Sequence, residues 1–223
     1  MRMLVRFGKK SRLRFISHLD LQRFLHMALN RTGLPVLYSQ GFNPHPLMAF
    51  GSALALGWTS EYEIIDVRLA APMGRGKCEA GMRRALPEDL PVLEVKLVDD
   101  RYPSVMAQVV ASDYRITLGG DRAQAVIDQI PAFLDSTQIM AMKKTKSGEK
   151  EINIRPLALR LEVAEGNTLH ARLMLTEKDA LKADLLVRTL AEMAGVDAPE
   201  MRVHRVSLLG KDAAGELRPL MEL

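Results

Sequence analysis

The order of hydrophobic periodicities along the chain runs through the same sequence twice, and few folds accommodate that. In the first segment, Met3, Val5 and Phe7 alternate with Arg2, Leu4 and Arg6, the period-2 signature of a strand. Next comes "SHLDLQRFLHMALNRTG", where Leu21, Leu25, Ala28 and Leu29 keep helical spacing and Gly33 with Pro35 ends the run. "LMAFGSALALGW" and "SEYEIIDVRLA" predict two strands, "GKCEAGMRRAL" a short helix closed by Pro87, and "PVLEVKLV" a last strand. The order is β-α-β-β-α-β. The second half predicts strand "DYRITL", helix "DRAQAVIDQI" stopped at Pro131, strands "TQIMAMKKT" and "EINIRPLALRLEV", and a further strand "TLHARLMLT". Helix "TEKDALKADLLVRTLAEMAG" and strand "MRVHRVSLL" complete it. The expected fold class is α+β: two tandem ferredoxin-like (βαββαβ) halves with antiparallel sheets, and an extra strand in the second. "DDRYPS" places the boundary near residue 103, giving halves 1–103 and 104–210, and 211–223 is expected to be a loose tail.

The single cysteine, Cys78, excludes an internal disulfide and an all-cysteine metal or iron–sulfur centre held by this chain alone. The start "MRMLVRFGKK" lacks the apolar run of a signal peptide, and no stretch has the length of a membrane span, so the expected location is cytoplasmic with no membrane partner. No GxxxxGK[ST], GxGxxG, HExxH or GxSxG motif is present, and no cofactor is expected.

The net charge is only +4, but its placement is uneven. Arg2, Arg6, Lys9, Lys10, Arg12 and Arg14 precede the first acid, Asp20, and a second basic run spans Lys143 to Lys150. Such asymmetry points to a polyanion partner, with solvated surface charge as the alternative. Arg12 and Arg14, the helix face of Arg23 and Arg31, and a hairpin bearing Lys143, Lys144 and Lys146 are the candidate phosphate contacts.

Two short stretches concentrate the remaining chemistry. In "FISHLD", Ser17 and Asp20 form a capping box, which leaves His18 at the first helical position, where the helix dipole favours the neutral imidazole. In "YSQGFNPHP", Pro44 and Pro46 stiffen a loop that offers Gln40, Phe42, Asn43 and His45. Phe42 is either a platform for a base or a plug holding the loop to the core. His18 and His45 are the candidate catalytic pair. Glu61 and Glu63, on one side of a strand, add carboxylates. A His18–His45–Glu61 metal cluster is chemically allowed, but its spacing matches no metal motif and no metal is expected.

The signatures "FISHLDLQRFLHMALNRTGLPVLYSQGFNPHP" and "ALGWTSEYE" resemble a bacterial family known as radical-SAM-linked proteins, long described as a domain of unknown function. The resemblance implies a protein that works with a radical SAM enzyme on RNA. It supports an RNA-binding accessory protein acting in tRNA or rRNA modification or maturation. A metal-independent endoribonuclease or RNA-modifying enzyme using His18 and His45, and a protein-only adaptor for the radical SAM enzyme, are the alternatives.

Overall fold

The computed structural model describes residues 1–145 and 148–223. The protein is of mixed α+β class with mostly antiparallel sheet, and it divides into two compact units, Met1–Val109 with Gly210–Leu223, and Val110–Leu209.

In the first unit, β1 (Arg2–Lys9) is followed by a 3-10 turn (Ser11–Phe15) and by α1 (His18–Arg31). Then come β2 (Met48–Phe50), β3 (Thr59–Arg68), α2 (Arg75–Ala85), β4 (Val92–Val98) and a short α3 (Val105–Gln108). The strands lie in the order β4-β1-β3-β2 with antiparallel pairings. The alternation read from β1 sets its core face: Met3, Val5 and Phe7 are fully buried, and they pack with Leu21, Leu25, Ala28 and Leu29 of α1 and Cys78 and Met82 of α2. Burial raises the pKa of the Cys78 thiol, which disfavours the reactive thiolate.

Several expectations need correction. "LMAFGSALALGW" is strand only over Met48–Phe50; the chain then leaves the sheet and turns through Gly57 at a φ of +83°. Glu61 and Glu63 do not share a side, for Glu61 is exposed while Glu63 is 1% exposed. The register explains this. Phe7 pairs with Glu63 and Lys9 with Ser60, so β3 carries an extra residue opposite β1, and this bulge breaks the period of 2. The segment from Gly210, expected to be loose, is ordered. β11 (Leu217–Pro219) follows a turn in which the Asp212 carboxylate accepts from the amides of Ala214 and Glu216. Leu220 and Met221 are buried, the Met221 amide donates to the Tyr62 hydroxyl, and Lys96 donates to the carbonyls of Met221 and Leu223. Gly210 permits that packing, since a Cβ there would lie 2.7 Å from the Gln108 carbonyl oxygen.

The second unit opens with β5 (Ala111–Leu118), α4 (Ala123–Ile127) and α5 (Ile130–Asp135). Pro131 does not stop one long helix. It sits in the first turn of α5, where its missing N–H costs nothing. β6 (Met140–Thr145) and β7 (Gly148–Asn153) pair with each other as a separate two-stranded sheet, so "TQIMAMKKT", expected as a strand of the main sheet, lies outside it. "EINIRPLALRLEV" is not one strand either. Pro156 lies in a 3-10 turn (Arg155–Leu157) that separates β7 from β8 (Ala158–Val163). β9 (Thr168–Met174), α6 (Ala183–Met193) and β10 (Met201–Lys211) complete the unit, whose sheet runs β10-β5-β9-β8. Ile116, Leu169, Leu173 and Leu161 bury one face of this sheet, and Phe133, Leu186 and Leu190 bury the helical side of the same core.

Candidate functional site

The loop of residues 38–46 closes on itself before it touches anything else. The Ser39 amide donates to the His45 carbonyl at 2.9 Å, and Tyr38 and Pro46 form an isolated antiparallel bridge. The Ser39 hydroxyl accepts from the His45 amide at 3.2 Å and sits 3.0 Å from His45 Nδ1. Gly41, at a φ of +125°, makes the reversal at the tip; an L side chain there would be strained. Ordering costs are met by the loop itself, so a ligand would find the tip already arranged. Gln40, Phe42 and Asn43 are all exposed, and Phe42 is 105% exposed. Phe42 is therefore not the plug that anchors the loop.

What anchors the loop is a row of α1 that sequence reasoning passed over. His18, Gln22, His26 and Asn30 are four residues apart and flank the apolar stripe of Leu21, Leu25, Ala28 and Leu29. The loop and the strand after it run along this row. The Tyr38 hydroxyl donates to Asn30 Oδ1, the His45 ring stacks on His26 with centroids 5.6 Å apart, and Phe50 meets His18 at 4.5 Å. The i, i+4 polar row beside an apolar stripe was the signal available in the sequence.

The candidate catalytic pair is thus distributed. His45 meets His26, whereas His18 meets Phe50 two helical turns away, roughly 12 Å along the axis at about 1.5 Å per residue. Among the described residues no group of three or more His, Cys, Asp and Glu is placed to hold a metal ion, so His18, His45 and Glu61 do not assemble into one. The cap before His18 differs in one detail from the expected box. Ser17 Oγ accepts from the Asp20 amide at 3.1 Å, but the Asp20 carboxylate accepts a hydrogen bond from the Ser17 hydroxyl at 2.7 Å and also meets Arg23 at 3.3 Å.

Burial lowers the pKa of His26, and the neighbouring His45 imidazole lowers it further. Among the described residues its buried Nε2 has no hydrogen-bond partner. The unfolded chain then binds more protons than the folded one between the depressed value and about 6.5, so this group makes stability fall as pH drops below about 6.5. Thermal unfolding between about pH 8 and pH 5 should show that loss in the wild type and a shallower one in His26→Gln. Equal slopes would mean that His26 does not titrate where the loop packs on α1.

The basic residues divide by environment. Arg12 and Arg14 lie in the 3-10 turn; the Arg12 side chain is 91% exposed with Asp89 at 3.6 Å, and the Arg14 guanidinium lies over the Phe15 ring at 4.5 Å. Arg31 lies over Phe24 at 5.9 Å. Arg2 and Lys9, by contrast, are buried, and neither can meet a phosphate. On the β6–β7 hairpin, Lys143 donates to the Ala180 carbonyl at 2.8 Å and Lys144 is exposed, while Lys146 lies outside the described residues.

No helix among the described residues is long and apolar enough to cross a membrane. No curated protein matches the chain. Residues 2–183 match the model of a family described as uncharacterized proteins conserved in bacteria, DUF2344, and the span covers the SHLD helix, the proline-bracketed loop and most of the second unit; the chain belongs to that family.

Proposed function

We propose that the protein is a cytoplasmic RNA-binding accessory protein that works with a radical SAM enzyme in tRNA or rRNA modification or maturation. The observation that carries this reading is Phe42, an aromatic ring held fully in solvent at the tip of a loop locked by Ser39, Tyr38 and His45. Exposing a phenylalanine on a rigid support gains nothing for folding, and base stacking on an aromatic contributes about 1–3 kcal/mol per base. Arg12 on the 3-10 turn, with Arg31 and Lys144, supplies exposed cations for the phosphate backbone, and the half-buried Arg14 stands beside Arg12 on the same turn. The strand orders β4-β1-β3-β2 and β10-β5-β9-β8, the second with the β6–β7 hairpin inserted between β5 and β8, support reading the units as tandem ferredoxin-like folds, a scaffold compatible with this role.

The test is binding of the purified chain to total bacterial RNA across a salt series. The affinity should fall by roughly 0.7–0.9 log units per log of salt for each phosphate engaged, and Phe42→Ala should weaken it about tenfold without changing the salt slope. An absence of binding, or binding indifferent to salt, would overturn the proposal. Co-purification of a radical SAM enzyme that survives nuclease treatment would instead favour a protein-only adaptor. RNA cleavage or modification lost in His18→Ala and His45→Ala, with binding retained, would make the chain an enzyme.

A further inference from the structure

The second unit carries a cationic surface on elements outside the loop and helix just described. The solvent face of its sheet presents Arg160 from β8, Arg172 from β9, Arg115 from β5 and Arg202 from β10. Two carboxylates answer these four guanidinium groups. Arg172 is held by Asp113 at 2.8 and 3.0 Å, and Arg160 by Glu162 at 2.6 and 2.7 Å. The remaining excess of positive charge is left to solvent.

The register shows that this is not scattered surface charge. Arg160 stands directly opposite Arg172 in the β8–β9 pairing, a cross-strand like-charge pair that costs the sheet stability. Each carboxylate occupies one edge of its guanidinium, which leaves the outer N–H groups for another acceptor. In the adjoining row, Arg115 is paired across the ladder with His170 on β9 and His204 on β10. Arg115 and His170 are exposed, and among the described residues Arg115 has no ion pair. A cavity of ≈ 230 Å³ opens between the two rows, lined by Arg115, Arg160, His170 and Arg172.

A row that sets a cation between two rings on neighbouring strands, about 4.8 Å apart, suits a chain of alternating phosphates and unstacked bases. We propose that this sheet face binds single-stranded RNA, with Arg115, Arg160 and Arg172 taking phosphates and His170 and His204 stacking against the flanking bases. The inference rests on the RNA-binding reading above and adds the surface and the strandedness of the ligand. The like-charge pair is then a cost to folding that bound phosphate relieves.

The experiment uses the full chain and a labelled oligouridylate, with a duplex RNA of matched length as competitor. Arg115→Glu should weaken binding to the single strand at least tenfold and lower the salt slope by roughly 0.7 for each phosphate no longer neutralised, while Arg115→Lys retains most of the affinity. The variants should unfold at the wild-type temperature, since Arg115 is exposed. Wild-type binding left unchanged by Arg115→Glu would overturn the sheet-face inference and leave the loop-centred reading standing. Failure of the wild type to bind any RNA would overturn both. Equal preference for the duplex would overturn the single-strand assignment, and loss of a protein partner with no change in RNA affinity would show the face to be a protein interface.

Discussion

Asp66→Ala is expected to destabilise the protein by about 3–5 kcal/mol, the range for removing one member of a buried ion pair. Arg2 on β1 reaches Asp66 on β3 through two of its nitrogens, and both side chains are 9% exposed. The same guanidinium donates to the carbonyls of Tyr102 and Pro103, so it joins β1 and β3 to the segment following β4. Asp66 holds the Arg2 pKa above its ordinary value despite burial, so truncating the carboxylate leaves a guanidinium that cannot discharge at any physiological pH. The urea unfolding midpoint should drop accordingly, and the double change Arg2→Met with Asp66→Leu should recover most of the loss. If Asp66→Ala unfolds within about 1 kcal/mol of the wild type, the pair behaves as a surface bridge. RNA affinity measured on the folded fraction should not change, which separates this arginine from those assigned to ligand.

That distinction marks what could and could not be read from residues alone. The first strand and helix were legible because Met3, Val5 and Phe7, and Leu21, Leu25, Ala28 and Leu29, carry their periods without interruption. Where one residue changed the backbone, the reading failed. Pro131 begins a helix it was expected to end, Pro156 splits a predicted strand, and the bulge opposite Lys9 sends Glu61 and Glu63 to different environments. The candidate site was legible as segments and not as contacts. Ser17, His45 and the proline-bracketed loop stood out by composition, whereas the stacking of His45 on His26 depends on where a loop twelve or more residues downstream settles against a helix face. Burial of a charge is the hardest of these to foresee. In "MRMLVRFGKKSRLR" the arginines and lysines look equivalent, and only the partners Asp66 and Glu63, some sixty residues on, make Arg2 and Lys9 structural.

Lys9 gives the sharper test of that division. Its side chain is 1% exposed, its ammonium donates to the Ile16 carbonyl at 3.1 Å, and the equally buried Glu63 carboxylate favours its charge. The bond to Ile16 fixes the residue immediately before the Ser17 cap, so Lys9 sets the exit of the 3-10 turn that carries Arg12 and Arg14. Lys9→Met keeps the aliphatic stem and removes the charge and donor. It is expected to cost about 1–3 kcal/mol, the desolvation penalty of the acceptor left behind, with more from Glu63. The pH dependence carries its own signature. Burial lowers the Lys9 pKa below its usual 10.5, so between the folded value and 10.5 the unfolded chain binds more protons and this lysine makes stability rise with pH. Wild type minus Lys9→Met, followed by denaturant titration through the alkaline range, should therefore increase with pH and level off above about 10.5. A variant more stable than wild type at neutral pH would mean that packing outweighs the ammonium's bond to Ile16. Lys9 would then no longer be what holds the basic turn in place beside the helix that supports Phe42's loop.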